Sequence, residues 1–275
     1  MSRWACDAEQ VTQLVSLLFQ SQLYQSTECY TIAAGHHSPT SPDIMTKPAE
    51  IMVITPHPDD AEFGVAGTVY RWTSEGKDVV YVVCTNGDKG TADPNIKSDQ
   101  LAPIREQEQL AAAKLLGVRE VIFLRHPDQM LEDTPEFRKE LVRLIRTYKP
   151  RTVATADPYR RYIWHRDHRI TGQVTLDAIF PCARDSLSFP DLLEEGLQPH
   201  KVEEVLLWGA QEPNYRTDIT GTFDVKIAAL FCHRSQMSGN PARPWEELLR
   251  ERHKMLAQDE DYELAEAFYR VEIGR

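Results

Sequence analysis

The stretch that can do chemistry is Ile51-Met-Val-Ile-Thr-Pro-His57-Pro-Asp59-Asp60-Ala-Glu62-Phe-Gly64. An apolar run of buried-strand length breaks at two prolines and delivers one imidazole and two carboxylates in quick succession. Prolines restrict the backbone, so such a turn can aim several metal-binding groups at one point. The competing reading is a strand-to-helix loop whose aspartates cap the next helix. Capping uses a single carboxylate and no histidine, so the metal reading is preferred. A second run is Asp157-Pro-Tyr-Arg-Arg-Tyr162-Ile-Trp-His165-Arg-Asp-His168. Two histidines three apart at the start of a helix share a face. One of them, with His57 and one aspartate, makes a two-histidine, one-carboxylate site. Three protein ligands leave a position for water, as in catalytic rather than structural zinc. With no thiolate, the same set admits Fe(II), Co(II) or Mn(II). Alone, His165 and His168 would read as surface histidines in an arginine-rich loop; beside His-Pro-Asp-Asp the metal reading prevails.

Such groups meet only if their loops leave one edge of a sheet. Apolar runs of strand length are expected at 51–55, 79–85, 121–124, 152–156 and 205–208. Helical patterns are expected at 61–74, 104–116, 135–148, 167–179, 223–233 and 245–257, and 264–273 is ambiguous between helix and strand. Buried strands alternating with helices imply a mostly parallel sheet covered on both faces, an α/β, Rossmann-like three-layer sandwich. Ligands of such sheets sit outside the carboxyl ends of the strands. The polar clusters follow the first, second and fourth strands, so they can share a cleft. Ahead of this domain, residues 8–23 repeat apolar positions at helical spacing and 30–48 read as a linker rich in Ser, Thr, Pro and His. The division is therefore an N-terminal helical arm, 1–47, and a catalytic domain, 48–275. His36-His37 reads as a solvated pair in that linker.

Composition narrows the partners. The chain has 275 residues, 41% of them apolar, and a formal net charge of −11. That charge disfavours nucleic acid and anionic membrane surfaces, and is otherwise simple solubility. Five scattered cysteines with no CxxC pair suit reduced thiols in the cytoplasm. No stretch reaches transmembrane length, and Asp7 and Glu9 stand where a signal peptide would be basic.

The chain resembles the LmbE-like, or PIG-L, N-acetylglucosaminyl deacetylase family. Pro56-His57-Pro58-Asp59-Asp60-Ala61-Glu62 is similar to its first motif, and His165-Arg-Asp-His168 to its second metal motif. Thr85-Asn-Gly-Asp-Lys-Gly-Thr91, Arg105-Glu106-Gln-Glu108 and His233-Arg-Ser-Gln236 are similar to supporting segments, in family order from about residue 50 to 236. The arm is not covered. Ala66-Gly67 stands where many relatives have two glycines, and Gln107 where Glu is common. The resemblance implies zinc-dependent hydrolysis of an N-acetyl group, usually on glucosamine. By position, His57, Asp60 and His168 would ligate the metal, Asp59 would be the general base, His165 would face the oxyanion and Arg105 would meet the substrate's polar groups. Chemically the opposite assignment of His165 and His168 is equally open; only the resemblance orders them. Zinc polarises a carbonyl and lowers the pKa of water to about 7, so an aspartate can serve as base. His165 as imidazolium could stabilise the oxyanion and then protonate the leaving amine.

Weaker expectations complete the set. Asp128, in His126-Pro-Asp128, either bonds sugar hydroxyls or caps a turn. His233 either reaches a cleft, its own or a neighbour's, or lies on a helix surface. Tyr162 and Trp164 either wall the pocket, since aromatic faces stack on sugar rings, or pack their loop. The leading reading is a deacetylase of a small N-acetylated amino sugar or its conjugate, either chitobiose-like or the glucosaminyl precursor of a thiol. Further copies of the chain, as a trimer or hexamer, are the expected partners. The rivals are an amidase of a glucosaminyl thiol conjugate and a non-catalytic sugar- or nucleotide-binding module. The Gly87-Asp-Lys-Gly90 loop could cradle phosphate, although it lacks the GxGxxG and GxxxxGK[ST] spacings.

Overall fold

A computed structural model describes residues 47–237 and 244–274. The expected helix at 8–23 and most of the linker lie outside the described residues. The central strand β1 (Ile51–Thr55) is buried along its whole length. Its alternate side chains serve two cores. Met52 and Ile54 pack with Leu141, Ile145 and Val174 on one face, and Ile51 and Val53 pack with Val65, Val69 and Leu116 on the other. A strand buried on both faces must be apolar throughout, which is why the run could be read without alternation.

The chain continues through helix α1 (Asp60–Ser74), β2 (Val79–Thr85), α2 (Ser98–Leu115), β3 (Glu120–His126), α3 (Pro135–Tyr148), β4 (Thr152–Ala156) and α4 (Arg166–Asp177). Then come α5 (Pro190–Glu194), β5 (Glu204–Trp208), β6 (Tyr215–Asp218), α6 (Phe223–Cys232), α7 (Arg234–Met237), α8 (Trp245–Leu256) and β7 (Ala265–Glu272). The sheet order is β3-β2-β1-β4-β5-β7-β6. The strands from β3 to β5 in that order are parallel, with Ile51 in register with Val79 on one side and Thr152 on the other. β7 runs antiparallel to both β5 and β6. The ambiguous C-terminal segment is thus a strand, and β6 is an element the sequence did not reveal. β6 is a short polar strand at the sheet edge, with no apolar run to announce it.

Helix α2 starts at Ser98, earlier than expected, and runs through Pro103. The Gln100 side chain accepts from the Lys97 amide at 3.0 Å, which closes the helix start ahead of the proline. α3 begins as its sequence dictates, with Thr134 accepting from the Phe137 amide at 3.2 Å and Pro135 in the first turn.

This topology decides where a site can form. From β1 the chain winds outward through β2 to β3, then returns to the other side of β1 for β4 and β5. The loops after β1 and β4 therefore diverge and open a crevice at the switch point. Those are the loops that carry His57-Pro-Asp59-Asp60 and His165 to His168.

Candidate active site

The turn after β1 is sharp because Asp59 lies in the left-handed region, with φ 98° and ψ −28°. That conformation is strained for a residue with a side chain, by about 1–3 kcal/mol, and tends to mark functional positions. It folds Asp60 back on His57. Asp60 Oδ2 accepts from the His57 backbone amide at 3.1 Å and lies 2.8 Å from His57 Nδ1. Asp59 occupies the cap position of α1 yet makes no side-chain cap bond; its Oδ2 instead accepts from Arg105 Nη2 at 3.1 Å. The capping reading of this aspartate is thereby overturned.

The loop after β4 brings the other two imidazoles. His168 Nε2 lies 3.1 Å from the same Asp60 Oδ2. In a tetrahedral shell with bonds of about 2.0–2.1 Å, neighbouring donors stand roughly 3.3 Å apart, so the 2.8 and 3.1 Å spacings suit a small divalent ion. His165 caps α4: its Nδ1 accepts from the Asp167 amide at 3.2 Å, which puts the ring proton of the neutral form on Nε2. His57, His165 and His168 can each offer a ligand nitrogen within 4.8 Å of the others. Distance alone leaves the two C-terminal histidines interchangeable. The contact with Asp60 favours His168, and the cap bond occupies one nitrogen of His165.

Behind His57 stand two more carboxylates. Its Nε2 lies 3.0 Å from Asp128 Oδ1 and 3.1 Å from Asp167 Oδ2. These, with His57 and His165, form a second group within metal-binding reach of one another. The oxygens of Asp167 are already engaged, accepting from the amides of Gln129 at 2.6 Å and Leu131 at 3.3 Å. The pair therefore serves best to orient His57, as carboxylates behind a metal-ligating histidine do. Burial alone would depress the His57 pKa, but the bonds to Asp128, Asp167 and Asp60 outweigh it and hold it well above the ordinary value. Burial would likewise raise Asp60, yet His168 and His57 hold it well below the carboxylate range. Asp59 is pushed up to about 7, by burial first and the adjacent Asp60 next, against Arg105, His233 and His57. His165 is lowered by burial and by His57 and His168. Several buried carboxylates around one imidazole call for positive charge, which a divalent ion supplies.

Other expected residues are placed differently from their proposed contacts. Arg105 is 3% exposed; it donates to the carbonyls of Pro58 and Gly87 as well as to Asp59, under the Gly87–Gly90 turn. A Cβ at Gly87 or Gly90 would strike its Nη1, so the turn wraps a guanidinium and is no phosphate cradle. Asp128 is buried against His57 instead of reaching outward, and its Oδ2 accepts from the Lys89 amide at 3.3 Å. Tyr162 is 90% exposed. Trp164 does pack at the site, edge-on to His168 with centroids 4.6 Å apart. His233 is wholly buried, with Nε2 at 3.2 Å from Glu62, neither in a cleft nor on a surface.

Comparison with known proteins agrees with this geometry. Residues 52–179 match the model of the PIG-L family, described as GlcNAc-PI de-N-acetylase. Diacetylchitobiose deacetylase of Thermococcus kodakarensis is 36% identical over 201 residues, 73% of this chain and 75% of that protein. The chain belongs to the PIG-L, or LmbE-like, family. Among solved structures, the N,N'-diacetylchitobiose deacetylase of Pyrococcus horikoshii in complex with an inhibitor superposes with a TM-score of 0.78 and 31% identity, over 82% of this chain and 84% of that one. Mycothiol S-conjugate amidase of Streptomyces coelicolor is 26% identical, over 83% of this chain and 96% of that protein. Within this PIG-L fold, sequence reasoning missed Asp167 beside His57, Glu62 beside His233, and Gln109, whose side-chain oxygen accepts from the Asp59 amide at 3.1 Å. Asp167 carried a visible signal, a carboxylate set between two histidines; Gln109 carried none.

Proposed function

We propose that the chain is a zinc-dependent hydrolase that removes the N-acetyl group from an N-acetylglucosamine-type sugar or glucosaminyl conjugate and releases acetate. One observation carries the reading: Asp60 Oδ2 faces His57 Nδ1 and His168 Nε2 together, with a second, uncapped carboxylate on the adjacent residue. His57, Asp60 and His168 would hold the ion; Fe(II), Co(II) and Mn(II) suit the same donors. When bound, zinc supplies Lewis acidity toward an amide carbonyl and a water molecule, the poor electrophile and poor nucleophile of this reaction.

The chain's own groups do the rest. Asp59, held by Arg105 and kept from the helix cap, takes the proton of the attacking water. The same carboxyl then returns it to the departing amine. Because its Nδ1 is engaged by the Asp167 amide, neutral His165 carries its ring proton on Nε2, and this donor would meet the developing oxyanion. The oxyanion role is thus assigned to a neutral imidazole, in place of the imidazolium expected earlier. Asp128 and Asp167 hold the His57 ring, and Trp164 supports His168.

Similarity to diacetylchitobiose deacetylase favours a chitobiose-like substrate, and similarity to the S-conjugate amidase favours a glucosaminyl thiol conjugate as the second choice. A cytoplasmic location and a trimer or hexamer belong to the same reading. Among the described residues no helix is long and apolar enough to cross a membrane. The test is a screen of N-acetylated sugars and glucosaminyl amides with the zinc-loaded protein, reading both free acetate and newly released primary amine. Acetate release from a glucosamine derivative is expected. Cleavage of the thiol-conjugate amide alone would select the second substrate, and no turnover of any member would overturn the reading.

A further inference from the structure

Among the buried polar side chains that the hydrolytic scheme leaves unused are Glu62, Gln109, Lys226, His233 and Glu266, each at most 1% exposed. Glu62 is their hub. Its Oε1 accepts from Gln109 Nε2 at 2.9 Å, its Oε2 lies 3.2 Å from His233 Nε2, and its backbone carbonyl accepts from Lys226 Nζ at 2.9 Å. The oxygen of Gln109 accepts from the backbone amide of Asp59 at 3.1 Å. An unbroken chain of hydrogen bonds thus runs from the end of α6, through α1 and α2, to the one residue of the turn with φ 98°.

A buried ion pair anchors that hub. Lys226 also donates to the Phe63 carbonyl at 2.9 Å and to Glu266 Oε1 at 2.7 Å. Glu266 in turn accepts from the amides of Gly67 at 3.0 Å and Thr68 at 2.8 Å, both in the interior of α1. The pair is set into the helix ladder, taking carbonyls from one turn and amides from the next. Apolar side chains of similar volume commonly serve stability as well as a buried ion pair does. What apolar packing cannot supply is direction for a particular amide and a particular carboxylate.

An aspartate at a helix cap position ordinarily turns its carboxylate onto the first-turn amides. Asp59 does not, and its backbone amide is the group that Gln109 holds. We propose that Gln109 and Glu62 are positioning residues for Asp59: by fixing its amide they lock the left-handed turn and keep its carboxylate on Arg105, away from the cap. Without them the chain relaxes, the carboxylate swings to the helix, and the base is lost while the metal ligands stay. This rests on the reading of Asp59 as the base.

The test is a double-mutant cycle with kcat, KM, zinc content and melting temperature measured for every variant. Gln109→Leu is expected to lower kcat about 10- to 100-fold, with KM and zinc content within about twofold of wild type, since a misplacement of about 1 Å costs roughly that much. On an Asp59→Asn background the same change should lower the residual rate no further. An equal fall on both backgrounds would overturn the proposal, because Gln109 would then not act through Asp59. The exchange Glu62→Gln with Gln109→Glu keeps an acceptor for the Asp59 amide and a donor–acceptor pair between α1 and α2. It should restore most of what Gln109→Glu alone loses, and it carries the test if Gln109→Leu fails to fold. An exchange variant no faster than Gln109→Glu alone would also overturn it. Wild-type turnover by Asp59→Asn would instead remove the base assignment, a separate result.

Discussion

Gly172 offers a direct test of how finely the second loop must be placed. It lies on α4, four residues after His168 and so on the same face of the helix. A Cβ at this position would lie 2.8 Å from Cδ of Pro158 and closer still to the carbonyl oxygen of Ala156, the last residue of β4. Ordinary contact begins at 3.4 Å, so Gly172→Ala pushes α4 away from β4 by at least 0.6 Å. Two effects oppose each other in stability. Alanine favours a helix interior by about 1 kcal/mol over glycine, whereas overpacking costs about 1–3 kcal/mol. The net loss is therefore modest, and the variant folds. Metal affinity has no such compensation. Ligand distances tolerate only about ±0.2 Å, at most a third of the imposed shift, so His168 Nε2 leaves its place beside Asp60. Competition with a chromophoric chelator should show zinc binding weakened about 10- to 100-fold, with urea unfolding of the metal-free protein changed by no more than about 2 kcal/mol. Zinc affinity within twofold of wild type would show that α4 does not position a ligand, and the ligand set would have to exclude His168.

Further outcomes follow from the same geometry. Asp59→Ala should keep its zinc by elemental analysis while losing about 10²- to 10⁴-fold in deacetylation; full activity would end its role as base. His168→Ala should lose zinc on dialysis, and unchanged metal content would refute the ligand assignment. His253 governs a pH effect remote from the candidate metal site. Burial, then Lys226, lowers its pKa from 6.5 to about 4, and its Nδ1 bonds the Ala265 carbonyl at 2.6 Å. The folded state thus prefers the neutral ring, so this contribution is complete above pH 6.5 and is lost as pH falls toward 4. It amounts to roughly 3 kcal/mol at most. Urea unfolding of His253→Asn, which keeps a donor to Ala265, should be less pH-sensitive than wild type across that window; identical slopes would contradict the assignment.

The scaffold was legible where burial is a local property of the chain. β1, β2 and β4 stand where their apolar runs predicted, because a strand covered on both faces has no room for polar residues. β6 escaped because a polar strand of four residues gains its place from pairing with β7, which no local pattern announces. Among the site residues, His57, Asp59 and Asp60 could be read together because one turn carries them all. Arg105, Asp128 and His233 could be read as polar groups of one rim, but not as inward supports. Their partners lie far off in sequence: Asp59 is 46 residues before Arg105, and Glu62 is 171 before His233.

Residue type and local spacing thus determined the sheet's core strands, the supply of imidazoles and carboxylates, and the class of chemistry they suit. Tertiary structure alone decided which carboxylate faces two imidazoles, which is denied its helix cap, and which polar groups turn inward to hold the others. The physical reason is that an apolar run answers to its own neighbours, whereas the direction of a loop side chain is set by hydrogen bonds to segments that only folding brings near.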